Sequence, residues 1–246
     1  MNNELLDNNT LTDRKEMCGN IPVRILHKDD QNTASQNGCI LFYHGLGASK
    51  DKQFKELEDL ANNGFLAVGG DNVGHGDREF DDFEERFSED NPDRVKNIIC
   101  AVRETASEIN FLVNWLIDTK LLINDKIGVV GISLGGFIAY AVPMFDDRPK
   151  TVVSILGSPQ WEEVSESPGD RIEKYSKLSL LSLNAGMDML VPPEQAKEFH
   201  IKLKKHYTDY EQRFKYIEYP DSGHFMEEED WLECWEQCLN WFKSRL

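Results

Sequence analysis

Gly131-Ile132-Ser133-Leu134-Gly135 stands between two apolar runs, Ile127 to Val130 and Phe137 to Val142. The pattern predicts a strand, a sharp turn and a helix, with a serine at the turn. A serine hydroxyl is a poor nucleophile unless it is exposed, next to a base, and close to donors that can hold the negative charge of a tetrahedral intermediate. The turn supplies the exposure. Its central residue sits in a strained backbone conformation, and side chains two positions to either side would collide where strand and helix cross, so Gly131 and Gly135 make it feasible. Gly136 lets the helix pack closely. The alternative reading is an ordinary strand-to-helix turn, so the rest of the chain must supply a base, an acid and oxyanion donors.

Working outward, apolar runs recur with helical patterns between them. Ile21 to His27 and Cys39 to Tyr43 read as strands, joined by a polar turn from Asp29 to Gly38 into an edge hairpin. A helix over about Lys50 to Asn63 follows, then a short strand from Phe65 to Gly70. The nine acids between Asp77 and Asp93 predict a solvated loop. Asn91-Pro92 starts a long helix in which Val102, Ala106, Ile109, Val113 and Leu116 form one apolar face. After the serine turn, Pro143 ends or kinks its helix. Thr151 to Leu156, Ser179 to Asn184 and Phe214 to Tyr219 read as strands, and Glu194 to Tyr207 and Glu227 to Leu246 as helices. Residues 157–178 break the rhythm and predict a short flap; residues 1–20 predict a flexible arm ahead of a single domain over 21–246.

This alternation predicts an α/β fold with a mostly parallel central sheet and helices on both faces. Function in such sheets gathers at the carboxyl ends of the strands. His44-Gly45-Leu46, Ser133, Asp188 and His224 each fall just after a predicted strand.

Of the six histidines, His224, flanked by Gly223, is the best placed base. His75, between two glycines, is its rival, while His44 reads as the orienter of a backbone turn. Asp188, before Val191-Pro192, suits the carboxylate that fixes the base's tautomer. A helix cap is the other reading of Asp188, and Asp221 is a neighbouring acid on the histidine loop. The backbone N–H of Leu134, at a helix start, is one oxyanion donor, and the N–H of Leu46, between two glycines, is the second. Trp161, Phe225 and Met226 are candidates for the substrate pocket or for packing.

Taken together, the order Ser133, Asp188, His224, the turn Gly-Ile-Ser-Leu-Gly-Gly, His44-Gly-Leu-Gly, Asp71-Asn-Val-Gly-His-Gly and Gly186-Met-Asp-Met-Leu-Val-Pro resemble an α/β-hydrolase over residues 21–246. The chain is most similar to small bacterial serine esterases of the dienelactone-hydrolase and prolyl-oligopeptidase-like branch. A dienelactone hydrolase proper carries cysteine as nucleophile; Ser133 stands there, so lactone specificity does not carry over. The resemblance implies a sheet of about seven or eight strands, a Ser133-His224-Asp188 triad and no cofactor. The expected activity is a carboxylesterase on a small-molecule acyl substrate, with a thioesterase or small-peptide hydrolase as the alternative and a non-catalytic ligand-binding protein as the remote one.

Composition bounds the partners. Twenty-seven basic residues against 44 acidic ones give a net charge of −17, which opposes nucleic acid and anionic membrane surfaces. The five cysteines include no CxxC pair, so a reducing, cytoplasmic setting and no metal are expected. The first 12 residues lack a signal-peptide pattern, and no apolar stretch approaches the roughly 20 residues that span a bilayer. Oligomeric state is not encoded in these features.

Overall fold

Cys39–Tyr43, Leu66–Gly70, Ile127–Ile132 and Thr151–Ile155 are buried along their whole lengths. Strands covered on both faces read as continuous apolar runs. These four occupy the middle of one eight-stranded sheet in a computed structural model that describes residues 10–161 and 166–246. In chain order the strands are β1 (Thr12–Cys18), β2 (Ile21–His27), β3 (Cys39–Tyr43), β4 (Leu66–Gly70), β5 (Ile127–Ile132), β6 (Thr151–Ile155), β7 (Ser179–Ala185) and β8 (Phe214–Tyr219). Their spatial order is β1-β2-β4-β3-β5-β6-β7-β8. β2 runs antiparallel to β1 and β4, and every pairing from β4 to β8 is parallel.

The helices are α1 (Gln31–Asn37), α2 (Phe54–Asn62), α3 (Phe83–Phe87), α4 (Arg94–Ser107), α5 (Ile109–Asp118), α6 (Leu134–Phe145), α7 (Glu194–His206), α8 (Tyr210–Arg213) and α9 (Glu228–Arg245). Successive strand side chains point to opposite faces, so Leu41 and Tyr43 join one apolar layer with α4, α5 and α6, while Ile40 and Phe42 join another with α2 and α9. The second layer takes Cys234, Trp235, Cys238 and Phe242 from the last helix.

Five expectations change, the first in the acidic segment read as a solvated loop, where Phe83 and Phe87 pack on His75 and α3 forms. Residues 12–18, assigned to a loose arm, form β1, a polar edge strand held through Arg24, which pairs with Asp13, and Lys15, which pairs with Asp51. Residues 1–9 of that arm lie outside the described residues. The predicted turn 29–38 contains α1: Asp30 accepts the amides of Asn32 and Thr33 and caps it, and only Ala34 and Ser35 are buried, too few to create a periodic signal. No hairpin joins β2 to β3, because β4 lies between them. The long helix is two, α4 and α5, divided at Glu108, whose carboxylate is gripped at both oxygens by Arg78 at 2.8 and 2.6 Å.

Pro143 stands in the last turn of α6, which ends two residues beyond it. The predicted flap falls partly on 162–165, outside the described residues. Its described part is tied down: Trp161, Tyr175 and Leu178 join the first apolar layer, and the Tyr175 hydroxyl donates to Tyr140 O at 2.7 Å.

Candidate active site

The site begins where β5 turns into α6. Ser133 has φ 56° and ψ −115°, a strained conformation for a residue with a side chain. The surrounding backbone over-determines it. A Cβ on Gly131 would lie 1.9 Å from Gly135 O, and one on Gly135 would lie 1.9 Å from Tyr43 O at the end of β3. Glycine at both positions therefore lets strand, turn and helix interlock, and the turn lifts Ser133 to a half-buried position with α6 starting at Leu134.

Three side chains converge there from three strand ends. Ser133 Oγ lies 2.9 Å from His224 Nε2, and His224 Nδ1 lies 2.7 Å from Asp188 Oδ2. A carboxylate only accepts, so the imidazole proton sits on Nδ1 and the Nε2 lone pair faces the serine hydroxyl. The Asp188 side chain is fully buried, whereas His224 remains 11% exposed. The second Asp188 oxygen accepts the amides of Leu190 and Val191 at 2.9 and 2.8 Å. The loops carrying the acid and the histidine are joined by Gly186 N–H to Tyr219 O at 2.7 Å and Met187 N–H to Ser222 O at 2.8 Å.

The predicted oxyanion donors border the same serine. A Cβ on Gly45 would meet Ser133 Cβ at 3.8 Å, so the Gly45-Leu46 segment runs directly against it. Among the described residues the N–H groups of Leu46 and Leu134 donate to no backbone or side-chain acceptor.

The rival residues do other work. His44 is buried; its Nε2 accepts the Asn72 amide at 3.0 Å and its Nδ1 meets Gly45 O at 2.9 Å, while burial pushes its pKa down to about 4. His75 packs against Phe83, Phe87 and His44 with Nδ1 on Val73 O, and burial lowers its pKa too. Asp221 is exposed, and among the described residues the acid on His224 Nδ1 is Asp188.

Of the three pocket candidates, Trp161 is core, its indole N–H donating to Ser158 O at 3.0 Å. Met226 is half-buried against the second apolar layer, and Phe225 stands open with its ring 5.5 Å from that of His224. Among the described residues no three His, Cys, Asp or Glu side chains are grouped as metal ligands, and no helix is long and apolar enough to cross a membrane. Four of the five cysteines are buried, and Cys100 is exposed.

Sequence reasoning missed the buried pair Lys50–Asp71 beside the loop bearing Leu46. Lys50 is 1% exposed, and its ammonium reaches Asp71 at 2.7 Å and Asp77 at 2.6 Å. Asp71 also accepts the amides of Lys50 and Asp77. With the His44 and Asn72 contacts at its other end, the loop bearing Leu46 is fastened to the loop after β4 on both sides. The Asp71-Asn-Val-Gly-His-Gly motif marked the second loop, but nothing local to Lys50 marked it as buried.

Comparison with known proteins follows the same geometry. The family model described as alpha/beta hydrolase fold matches residues 38–178. The chain is 24% identical over 237 residues to "Putative esterase YitV" of Bacillus subtilis (strain 168), covering 84% of this chain and 89% of that one. Among solved structures it is similar to TT1662 from Thermus thermophilus, with TM-score 0.78 and 22% identity over 96% of this chain and 100% of that one. It is also similar to P91, a dienelactone hydrolase-like promiscuous phosphotriesterase from metagenomic libraries, with TM-score 0.67 and 15% identity over 96% of this chain and 98% of that one. The family match spans more than half of the chain, and the eight-stranded sheet agrees with it: this chain belongs to the alpha/beta hydrolase fold family.

Proposed function

We propose that the chain is a serine hydrolase, a carboxylesterase of small short-chain acyl esters. The observation that carries this reading is the unbroken hydrogen-bonded chain from Ser133 through His224 to Asp188. Ser133 Oγ attacks the ester carbonyl as His224 Nε2 takes its proton, and Asp188 stabilises the imidazolium that forms. The N–H groups of Leu46 and Leu134 hold the oxyanion; a donor of this kind contributes about 3 to 4 kcal/mol. His224 then protonates the leaving alcohol, and water, deprotonated by the same histidine, releases the acid from the acyl-enzyme. The similarity to a protein named as an esterase supports the ester over other acyl substrates.

Hydrolysis of p-nitrophenyl esters from acetate to palmitate by wild type and Ser133→Ala tests the reading. Best cleavage of acetate or butyrate, abolished in the variant, is the expected result. Equal activity of the variant would overturn it.

A further inference from the structure

The most exposed large apolar side chains among the described residues are not scattered. Met189 (89%), Phe225 (85%), Met187 (63%) and Leu190 (61%) exceed all others, the next being Met17 at 58%. All four stand on the two loops that carry Asp188 and His224. Exposed apolar clusters on a folded protein mark binding surfaces. This one is held in place: Asp188 fixes the Leu190 amide, and Met187 N–H bonds across to Ser222 O.

We infer that this rim binds the alcohol portion of the ester, so that the enzyme selects short acids esterified to long alkyl alcohols. The inference rests on the serine-hydrolase reading above. In acylation the Ser133 Oγ–carbon bond forms, the bond from carbon to the alcohol oxygen breaks, and the proton passes from Ser133 through His224 to that oxygen. The alcohol oxygen must therefore lie within hydrogen-bond reach of His224 Nε2. Its alkyl chain departs from the histidine, beside Phe225 and the Met187 to Leu190 loop, while the carbonyl oxygen is held at the Leu46 and Leu134 amides. A second copy of the chain is a poorer occupant, because four side chains fall short of the roughly 20 to 30 residues per side of a standard interface. The exposed Glu227, Glu228 and Glu229 that follow Met226 also oppose an anionic membrane.

The test is kcat/KM, which reports acylation, for n-alkyl acetates from ethyl to octyl and for ethyl esters from acetate to octanoate. Beyond ethanol these alcohols leave about equally well, and a fully buried methylene is worth roughly a factor of four. In wild type, kcat/KM is expected to rise about tenfold or more from butyl to octyl acetate. Met189→Ser with Phe225→Ser, and Met189→Ser alone, should flatten that rise, while Ile117→Ser, an exposed apolar site on α5, keeps it. A wild-type enzyme that labels with fluorophosphonate at Ser133 yet is indifferent to alcohol length would overturn the inference while leaving the hydrolase reading intact. So would a rise confined to the acyl series, or a dimer by sedimentation that the double substitution turns into a monomer. Failure both to label and to cleave any ester would sink the hydrolase reading and this inference with it.

Discussion

The Asp188 carboxylate reaches His224 Nδ1 through Oδ2 at 2.7 Å while Oδ1 holds the Leu190 and Val191 amides. One side chain thus sets the histidine tautomer and the shape of its own loop. Asp188→Asn separates the two tasks. The amide oxygen can keep the loop, but an NH2 facing Nδ1 forces the ring proton onto Nε2 and removes the base. We expect kcat to fall by about 10⁴ with the urea midpoint nearly unchanged, and Asp188→Ala to lose about 1 to 3 kcal/mol of stability as well.

At the serine turn, the steric limits are backbone against backbone. Gly135→Ala places its Cβ on Tyr43 O, and neither strand β3 nor helix α6 can yield without disturbing the sheet. A loss of about 3 kcal/mol or more is expected in urea titration. Gly47→Ala is the contrast: its φ is +70° but nothing lies within 4 Å, so only the left-handed conformation is penalised, at about 1 to 2 kcal/mol.

At the loop bearing Leu46, Lys50→Met leaves Asp71 buried with its ammonium partner gone. Removing one member of a buried pair costs about 3 to 5 kcal/mol, a loss that salt screens little. Equal urea midpoints for wild type and variant would show the pair to be unimportant for stability.

Acid sensitivity follows from buried histidines other than His224, of which His44 and His200 are shifted furthest and His75 in the same direction. Burial pushes His44 to about 4 and His200 to about 3, the latter with its ring nitrogens on the Tyr210 hydroxyl and Ser182 Oγ. Both stay neutral in the fold while the unfolded chain binds protons below about pH 6.5. Their contribution is fully present above that pH and is lost as pH falls toward the folded values, on the order of 3 kcal/mol for His44 and about 5 kcal/mol for His200. Urea midpoints at pH 7.5 and 4.5 should differ, and His200→Gln should shrink the difference. An equal drop in the variant would contradict the assignment.

What the sequence displays is what short-range chain chemistry determines. Ser133 between its glycines, the His44-Gly-Leu-Gly loop, and Asp188 and His224 after their strands are local patterns, and the parallel sheet places them together. The order β2-β4-β3 is not local, which is why two successive strands read as a hairpin. β1 has a polar edge face and α1 is capped by Asp30 with little apolar surface, so neither produces a hydrophobic period. Trp161 and Phe225 looked alike in sequence, since either aromatic suits a pocket or a core. Only tertiary packing separates the buried indole from the open ring.

The central claim is that Ser133 is a nucleophile activated by His224. The most direct measurement is the mass shift after treatment of the folded protein with a fluorophosphonate. The account predicts one adduct, mapped to Ser133, absent in Ser133→Ala and formed far more slowly in His224→Ala. No adduct on the folded wild type, or an adduct retained in Ser133→Ala, would contradict it.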